Sequence, residues 1–259
     1  MFARLRRLEA RLLPHGVVDV GRQLFLFAAA YWGYRLVRGA VDGRAAASYE
    51  HARELISLER SLHTFVEPSV QAWTSGREWL IDFASWMYIN SHFAVTLTAL
   101  VYLYLFHNSR FYFIRNMFMV AMAIALVGYM VFPTAPPRFM PEWGFTDSVA
   151  HFTGIPQDSV TINSLFNPYA AVPSMHVAFA LMLGLPLAWL VRSRVLKVAW
   201  ALYPVLVTWV VVATGNHFWM DAFLGALTAG LAACVAAWLL ARARPHAWAF
   251  GQAHAEATA

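Results

Sequence analysis

The stretch AFLGALTAGLAACVAAWLL, residues 222–240, runs for nineteen residues without a charged side chain. A helix needs roughly 20 apolar residues to cross a bilayer, so this stretch predicts a transmembrane helix. The rest of the chain has the same character, because 60% of its 259 residues are hydrophobic and only 13% are charged. A soluble domain has about 25% charged residues. The composition therefore indicates an integral membrane protein with an all-α fold.

Six apolar segments are long enough to cross the bilayer. They lie near 17–38, 79–106, 113–133, 174–191, 196–214 and 218–241. The sequence thus predicts a six-helix transmembrane bundle over residues 17–244. A basic segment, 1–16, precedes it, and a small, polar tail, 245–259, follows it and is expected to be disordered.

The distribution of basic residues predicts how the bundle is oriented. Arginines occur before the first span, in the connections 107–116 and 192–197, and in the tail, whereas loop 134–172 has three acidic residues and a single arginine, Arg138. Basic residues favour the cytoplasmic side. We therefore expect a multi-pass protein of the cell membrane with both termini in the cytoplasm and loop 134–172 outside. The net charge of +5 is explained by topology and requires no nucleic-acid partner.

Segment 45–76, between the first two spans, is amphipathic. Its apolar residues recur at helical spacing among glutamates and arginines. This pattern predicts one or two amphipathic helices, either on the outer membrane surface or over the bundle, with a break at Pro68. A solvated connector without a functional role would show the same pattern.

Two polar motifs open apolar spans, Pro173-Ser174-Met175-His176 and His217-Phe218-Trp219-Met220-Asp221. In a helix, Asp221 lies on the same face as His217, about 6 Å along the axis. A carboxylate bonded to the imidazole fixes its tautomer and leaves the other ring nitrogen nucleophilic. Two imidazoles and a carboxylate supply a nucleophile, its orienting group and a proton donor, which suits metal-free phosphoester cleavage. Capping of a helix start by Asp221 is the structural alternative.

Arg138 and the start of the fourth span are candidate anion ligands. Arg138 ends a proline-rich turn, and the fork of its guanidinium suits phosphate oxygens, although an anchor for lipid headgroups would have the same position. Ser174 is a candidate helix cap, and N–H groups at a helix start attract anions. The sequence has no Cys-x-x-Cys or His-Glu-x-x-His pattern, so we predict neither a metal nor a cofactor.

His92 lies in mid-span beside Tyr88 and Asn90, which is unusual at membrane depth. It lines a cavity for lipid access or forms a hydrogen bond between helices, and the sequence leaves both possibilities open.

The set of Arg138, Ser174-x-His176 and His217-x-x-x-Asp221, each at the outer end of a span, resembles the type 2 phosphatidic acid phosphatase superfamily. The stretches 167–176 and Thr214-Gly215-Asn216-His217 look like the branch that contains inositol phosphorylceramide synthase. The resemblance covers the last two-thirds of the chain, with the three motifs in the order of the family.

The resemblance implies a role for each matching residue. His217 is the nucleophile that forms a phosphohistidine, Asp221 orients it, and His176 protonates the leaving oxygen. Arg138 and the Ser174 region hold the phosphate, and we predict Asn216, next to the nucleophile, as a further substrate-binding residue.

The chain also departs from the superfamily pattern. Val131 stands where the superfamily has a lysine, Val210 and Val211 stand in place of Ser-Arg, and Met175 replaces the glycine before the second-motif histidine. Two phosphate-binding cations are therefore missing, which fits the transferase-like branch. Charge neutralisation is then left to Arg138, protonated His176 and helix N-termini.

From these features we expect a membrane lipid phosphoesterase that acts at the outer face by double displacement. Its acceptor would be water or a hydroxyl group, and it would need no metal. One alternative is a phosphotransferase of the inositol phosphorylceramide synthase type. Another is a non-catalytic phospholipid carrier, although binding alone does not need a nucleophile paired with a carboxylate. The pattern of residues does not distinguish among lipid phosphates.

Overall fold

The computed structural model describes residue 13 and residues 15–41, 44–155 and 169–240. The tail 245–259 and most of the basic segment 1–16 lie outside the described residues. Within the described ranges all regular secondary structure is helical, with one isolated parallel bridge between Thr134 and Ala170. The predicted all-α fold is therefore confirmed for this part of the chain.

The helices are numbered in chain order. They are α1 (Gly16–Val41), α2 (Ala45–Ser61), α3 (Glu67–Ser75), α4 (Glu78–Trp86), α5 (His92–Phe106), α6 (Asn108–Val131), α7 (Ser148–Thr153), α8 (Met175–Leu190), α9 (Arg194–Ala213) and α10 (Trp219–Cys234). A π-helical turn, Met87–Ser91, joins α4 to α5, and a second one, Val235–Leu240, extends α10. Two 3-10 turns, Pro137–Phe139 and Pro141–Trp143, lie in the loop between α6 and α7.

Three helices are long and apolar enough to cross a membrane: α6, α9 and α10 with its extension. The pair α4 and α5, bent by 47° at the π-helical turn, forms a fourth if both halves belong to one span. The apolar helix α8 has 16 residues, and α1 carries Asp19 and three arginines. The described residues thus contain three to four candidate spans, and the count of six stays a prediction.

The amphipathic segment packs over one end of the bundle. Leu55 and Ile56 of α2 are buried in a cluster with Met140, Phe145 and Phe218. The segment is therefore folded against the protein, which is one of the two predicted arrangements. The helix break falls at residues 62–66 and not at Pro68. Pro68 lies in the first turn of α3, where the backbone N–H that proline lacks would have no partner within the helix.

A polar cluster attaches α1 at the opposite end of the bundle. Asp19 accepts hydrogen bonds from the hydroxyl groups of Tyr104 (3.1 Å) and Tyr112 (2.6 Å) and from the Gln23 side chain (2.9 Å). Arg115 donates to Gln23 at 2.9 Å. All five side chains are buried. Because buried polar groups are costly without partners, this network ties α1 to the end of α5 and the start of α6.

Candidate active site

Helices α8 and α10 begin side by side, which brings the two polar motifs together. The backbone N–H of Ser174 donates to the carbonyl of Asp221 at 3.0 Å. One turn further along α10, Gly225 faces the Ser174 backbone so closely that a Cβ would lie 2.3 Å from the Ser174 carbonyl oxygen. The rings of His176 and His217 have their centroids 5.6 Å apart. The two histidines thus share one end of the bundle, as predicted from the order and direction of the spans that they open.

His217 and Asp221 form a buried pair. The Nδ1 atom of His217 lies 3.3 Å from Oδ2 of Asp221, and the same oxygen accepts the Phe218 N–H at 2.9 Å. His217 is 5% exposed and Asp221 is fully buried. With Nδ1 directed at the carboxylate, Nε2 is the ring nitrogen that faces away from it.

The surroundings of His217 favour its neutral form. Burial, and then the positive charge of Arg138, lower the pKa of His217 to about 3, while the backbone of Ala171 opposes this shift. The imidazole is therefore neutral at physiological pH. Only this form has a lone pair available for nucleophilic attack.

His176 is surrounded by two aromatic rings from the bent pair α4 and α5. Tyr88 stacks on it with the centroids 4.7 Å apart, and the His92 ring lies 4.8 Å away. His92 is 3% exposed, and its Nδ1 lies 3.4 Å from the hydroxyl of Tyr203 on α9. Its Nε2 has no hydrogen-bond partner among the described residues. The interhelical contact is one of the two predicted roles of His92, and the same ring also packs against the candidate acid.

Arg138 is held by the loop before α10. Its backbone N–H donates to the Gly215 carbonyl at 2.8 Å, and its Nη1 donates to the Asn216 side chain. Its Nε lies 3.8 Å from the carboxylate of Asp147 and has no hydrogen-bond acceptor in the described part of the chain. Asp147 was missed in the sequence because nothing local links it to Arg138. The guanidinium is thus fixed in orientation between the Asn216 side chain and the Asp147 carboxylate.

Ser174 and Asn216 have side chains that are already bonded within the protein. The Ser174 hydroxyl is fully buried and accepts the Val177 N–H at 3.5 Å, as predicted for a helix cap. The Asn216 amide donates to the Thr214 hydroxyl at 2.7 Å and accepts from Arg138. Both side chains therefore stabilise the backbone and the arginine of the site. Their roles as phosphate ligands stay predictions, and for Ser174 the contact would run through the N–H groups at the start of α8.

Comparison with known families identifies the chain at the level of a superfamily. The family model of the PAP2 superfamily matches residues 53–248, which include every candidate site residue. The chain belongs to the PAP2 superfamily. A search of curated proteins and a search of solved structures each gave no significant match. Membership in the PAP2 superfamily, together with the apolar helices, indicates a membrane-associated phosphoesterase of the lipid phosphatase type.

Two of the positions that depart from the PAP2 pattern have apolar surroundings. Val131 is 70% exposed at the end of α6, and Val210 and Val211 are buried in an apolar cluster that includes Tyr203. The start of α10 cannot replace the missing cations as a phosphate ligand, because the N–H groups of Phe218, Trp219 and Met220 already donate to carboxylates. Of the two helix starts in the site, only that of α8 therefore stays a predicted ligand of the phosphate.

Proposed function

We propose that this PAP2 protein cleaves a lipid phosphoester through a phosphohistidine on His217. The observation that carries the proposal is the buried, neutral imidazole of His217, which has Nδ1 on the Asp221 carboxylate and a second imidazole 5.6 Å away. Arg138 supplies the positive charge beside this pair. A carrier that only binds phospholipid has no need of an oriented nucleophile.

In the first step, Nε2 of His217 attacks phosphorus and the bond from phosphorus to the leaving oxygen breaks. The leaving oxygen takes the bond's electron pair and the proton of protonated His176, a form that the bound phosphate anion favours. In the second step, the acceptor oxygen loses a proton to His176 and attacks phosphorus, and the bond from phosphorus to Nε2 breaks. Arg138 and the start of α8 bind the phosphate oxygens in both steps.

One observation favours transfer between lipids over simple hydrolysis. With valine at 131, 210 and 211, the site lacks two cations of the PAP2 pattern. A phosphomonoester carries up to two negative charges, whereas a phosphodiester carries one, so a phosphodiester needs less neutralisation. We therefore place the protein with the inositol phosphorylceramide synthase-like branch as a phosphotransferase, with a hydroxyl group as the acceptor and hydrolysis as the alternative.

The proposed enzyme works at the extracytoplasmic face of the cell membrane, with six spans and both termini in the cytoplasm. The arginine distribution supports this topology. The residues of the proposed mechanism supply a nucleophile, an acid and an anion ligand, so we expect it to need neither a metal nor a cofactor.

The decisive assay measures phosphate release and headgroup exchange by the purified protein in detergent. The substrates are lipid phosphomonoesters and phosphodiesters, with and without a labelled hydroxyl acceptor, and EDTA is present. We expect phosphate release or headgroup exchange at a rate that EDTA leaves unchanged, with His217→Ala as the blank. Activity that EDTA removes and zinc restores would contradict the mechanism. Binding of lipid without release or exchange would favour the carrier.

Substitution of Arg138 by lysine should weaken substrate binding more than turnover. Lysine keeps the charge but has no planar fork, so it cannot reproduce the fixed geometry in which Arg138 binds Asn216 and would bind a phosphate oxygen. We expect KM to rise about tenfold or more, with a smaller change in kcat. Steady-state kinetics would measure both, with the exposed Arg53→Lys on α2 as the control. An unchanged KM would remove Arg138 from the phosphate site.

A further inference from the structure

Three carboxyl groups surround the first turn of α10, and two of them come from the amphipathic segment. Glu67 Oε1 accepts the N–H of Trp219 at 2.8 Å, and Glu59 Oε1 accepts the N–H of Met220 at 2.8 Å. Asp221 takes the preceding N–H itself. Glu59 and Glu67 are both 0% exposed. Buried glutamates are rare, and these two bond to consecutive residues just before the carboxylate that contacts His217.

Within the described ranges, no positively charged side chain balances the two glutamates. No arginine, lysine or histidine among the described residues forms an ion pair with either of them, and the same residues hold no set of side chains arranged to bind a metal ion. Neither Oε2 atom receives a hydrogen bond from a donor in the described part of the chain. Two neighbouring carboxylates without a counter-ion repel each other strongly in a buried site.

One proton shared by Glu59 and Glu67 would remove the repulsion between them, because one carboxyl group then donates a hydrogen bond to the other. Burial, a hydrogen bond with Glu67 and the charge of Glu67 raise the pKa of Glu59 to about 9, against the opposing effect of the Met220 N–H. The facing charged groups are Glu67 from α3 and Asp221 from α10, and Asp221 acts in the same direction as Glu67. The buried neighbours on α2, Leu55 and Ile56, are apolar.

We propose that Glu59 and Glu67 share one proton and together hold the start of α10, and thereby Asp221, in register with His217. We call this pair the glutamate clamp. Its members are positioning residues, since they touch the backbone of α10 and not the reacting atoms. The hydrogen bonds of the clamp do not depend on which reaction the protein catalyses, whereas the effect of the clamp on turnover rests on the proposed function.

The clamp gives segment 45–76 a functional role. Both glutamates belong to helices that lie outside the predicted spans, and they reach the one helix start that carries the nucleophile's partner. The contact between His217 and Asp221 is already 3.3 Å long. A small displacement of the first turn would therefore break it, and misplacement by about 1 Å can cost about 100-fold in rate.

The test is amide hydrogen exchange of Trp219 and Met220 as a function of pH, corrected for intrinsic rates, in the full-length protein. In the wild type we expect protection to fall above pH 9, as the second carboxyl group loses its proton. Glu59→Gln should keep the protection beyond pH 9, because its amide donates to Glu67 and its oxygen still accepts from Met220. The matched control is the exposed Glu54→Gln on the same helix, which should follow the wild type.

Activity and stability give further readouts. In the wild type kcat should fall about tenfold per pH unit above 9, with KM unchanged, and Glu59→Gln should remove this decline. The folded protein retains a proton that the unfolded chain releases near 4.5, so wild-type stability should decrease as the pH rises from 4.5 to 9. Glu59→Gln should remove that slope in thermal unfolding. If this variant does not fold, Glu67→Gln serves in its place.

Protection of Trp219 and Met220 that is unchanged to pH 10 in the wild type, or lost at pH 7 in Glu59→Gln, would overturn the clamp. Failure of the proposed function looks different. In that case no lipid is cleaved or exchanged at any pH, while the exchange profiles of the wild type and Glu59→Gln still differ as described.

Discussion

Replacement of His217 by alanine should reduce turnover by about 10³-fold or more, because His217 is the imidazole that Asp221 orients and on which the proposed covalent intermediate forms. The fold should survive, since Asp221 keeps its hydrogen bond from the Phe218 N–H and Glu59 and Glu67 still hold the first turn of α10. Release of labelled headgroup would measure turnover. A substrate labelled at phosphorus would also show whether the wild type forms a phosphoenzyme that survives alkali and is lost in acid.

The matched control is His151→Ala, because His151 is an exposed histidine on α7. It should keep wild-type turnover and the phosphoenzyme signal. Near-normal turnover in His217→Ala would show that the nucleophile lies elsewhere. A phosphoenzyme that persists in His217→Ala would give the same conclusion independently of the rate.

Substitution of Gly225 by alanine should damage both stability and activity. The new methyl group would lie 2.3 Å from the Ser174 carbonyl oxygen and 3.2 Å from its carbonyl carbon, and these backbone atoms cannot rotate away. Helices α8 and α10 must then separate at the point where the two motifs meet. We expect a loss of about 1–3 kcal/mol in the free energy of unfolding and about 100-fold in kcat.

Gly230→Ala is the control for this prediction. Gly230 belongs to the same helix and is exposed, and a methyl group added to it would have no neighbouring atom within 4 Å, so alanine should be neutral or slightly stabilising there. Thermal unfolding in detergent and steady-state kinetics would compare the two variants. Equal behaviour of both would mean that the close approach of α8 and α10 has no bearing on the site.

The features that the sequence predicts well are local or follow from composition. The spacing predicts the contact of His217 and Asp221, but not by the helical turn expected: His217 precedes α10, and Asp221 in the first turn accepts the Phe218 N–H and reaches the His217 ring. Capping of the helix start, the structural alternative, is therefore present together with the contact. Apolar length locates α6, α9 and α10, and the helix cap at Ser174 follows from its position before an apolar run. Each of these inferences needs only residues that are neighbours along the chain.

The features that it misses depend on packing between distant segments. The ring of His92 reaches His176 because the chain bends by 47° at a π-helical turn, which no residue pattern announces. Asp147 meets Arg138 through a loop whose path is set by its 3-10 turns. Glu59 and Glu67 look like the charged side of an amphipathic helix, and only the position of α10 shows that they are buried.

The glutamate clamp also bears on how the protein is made. Glu59 and Met220 are separated by 161 positions, and Glu67 and Trp219 by 152. Because synthesis runs from the N-terminus, both glutamates leave the ribosome long before their partners exist and must remain in water as ordinary acids. They can become buried only after α10 has been inserted. We therefore expect the nascent chain to be inactive until α10 enters the bilayer, so that a growing polypeptide cannot attack the lipids around it.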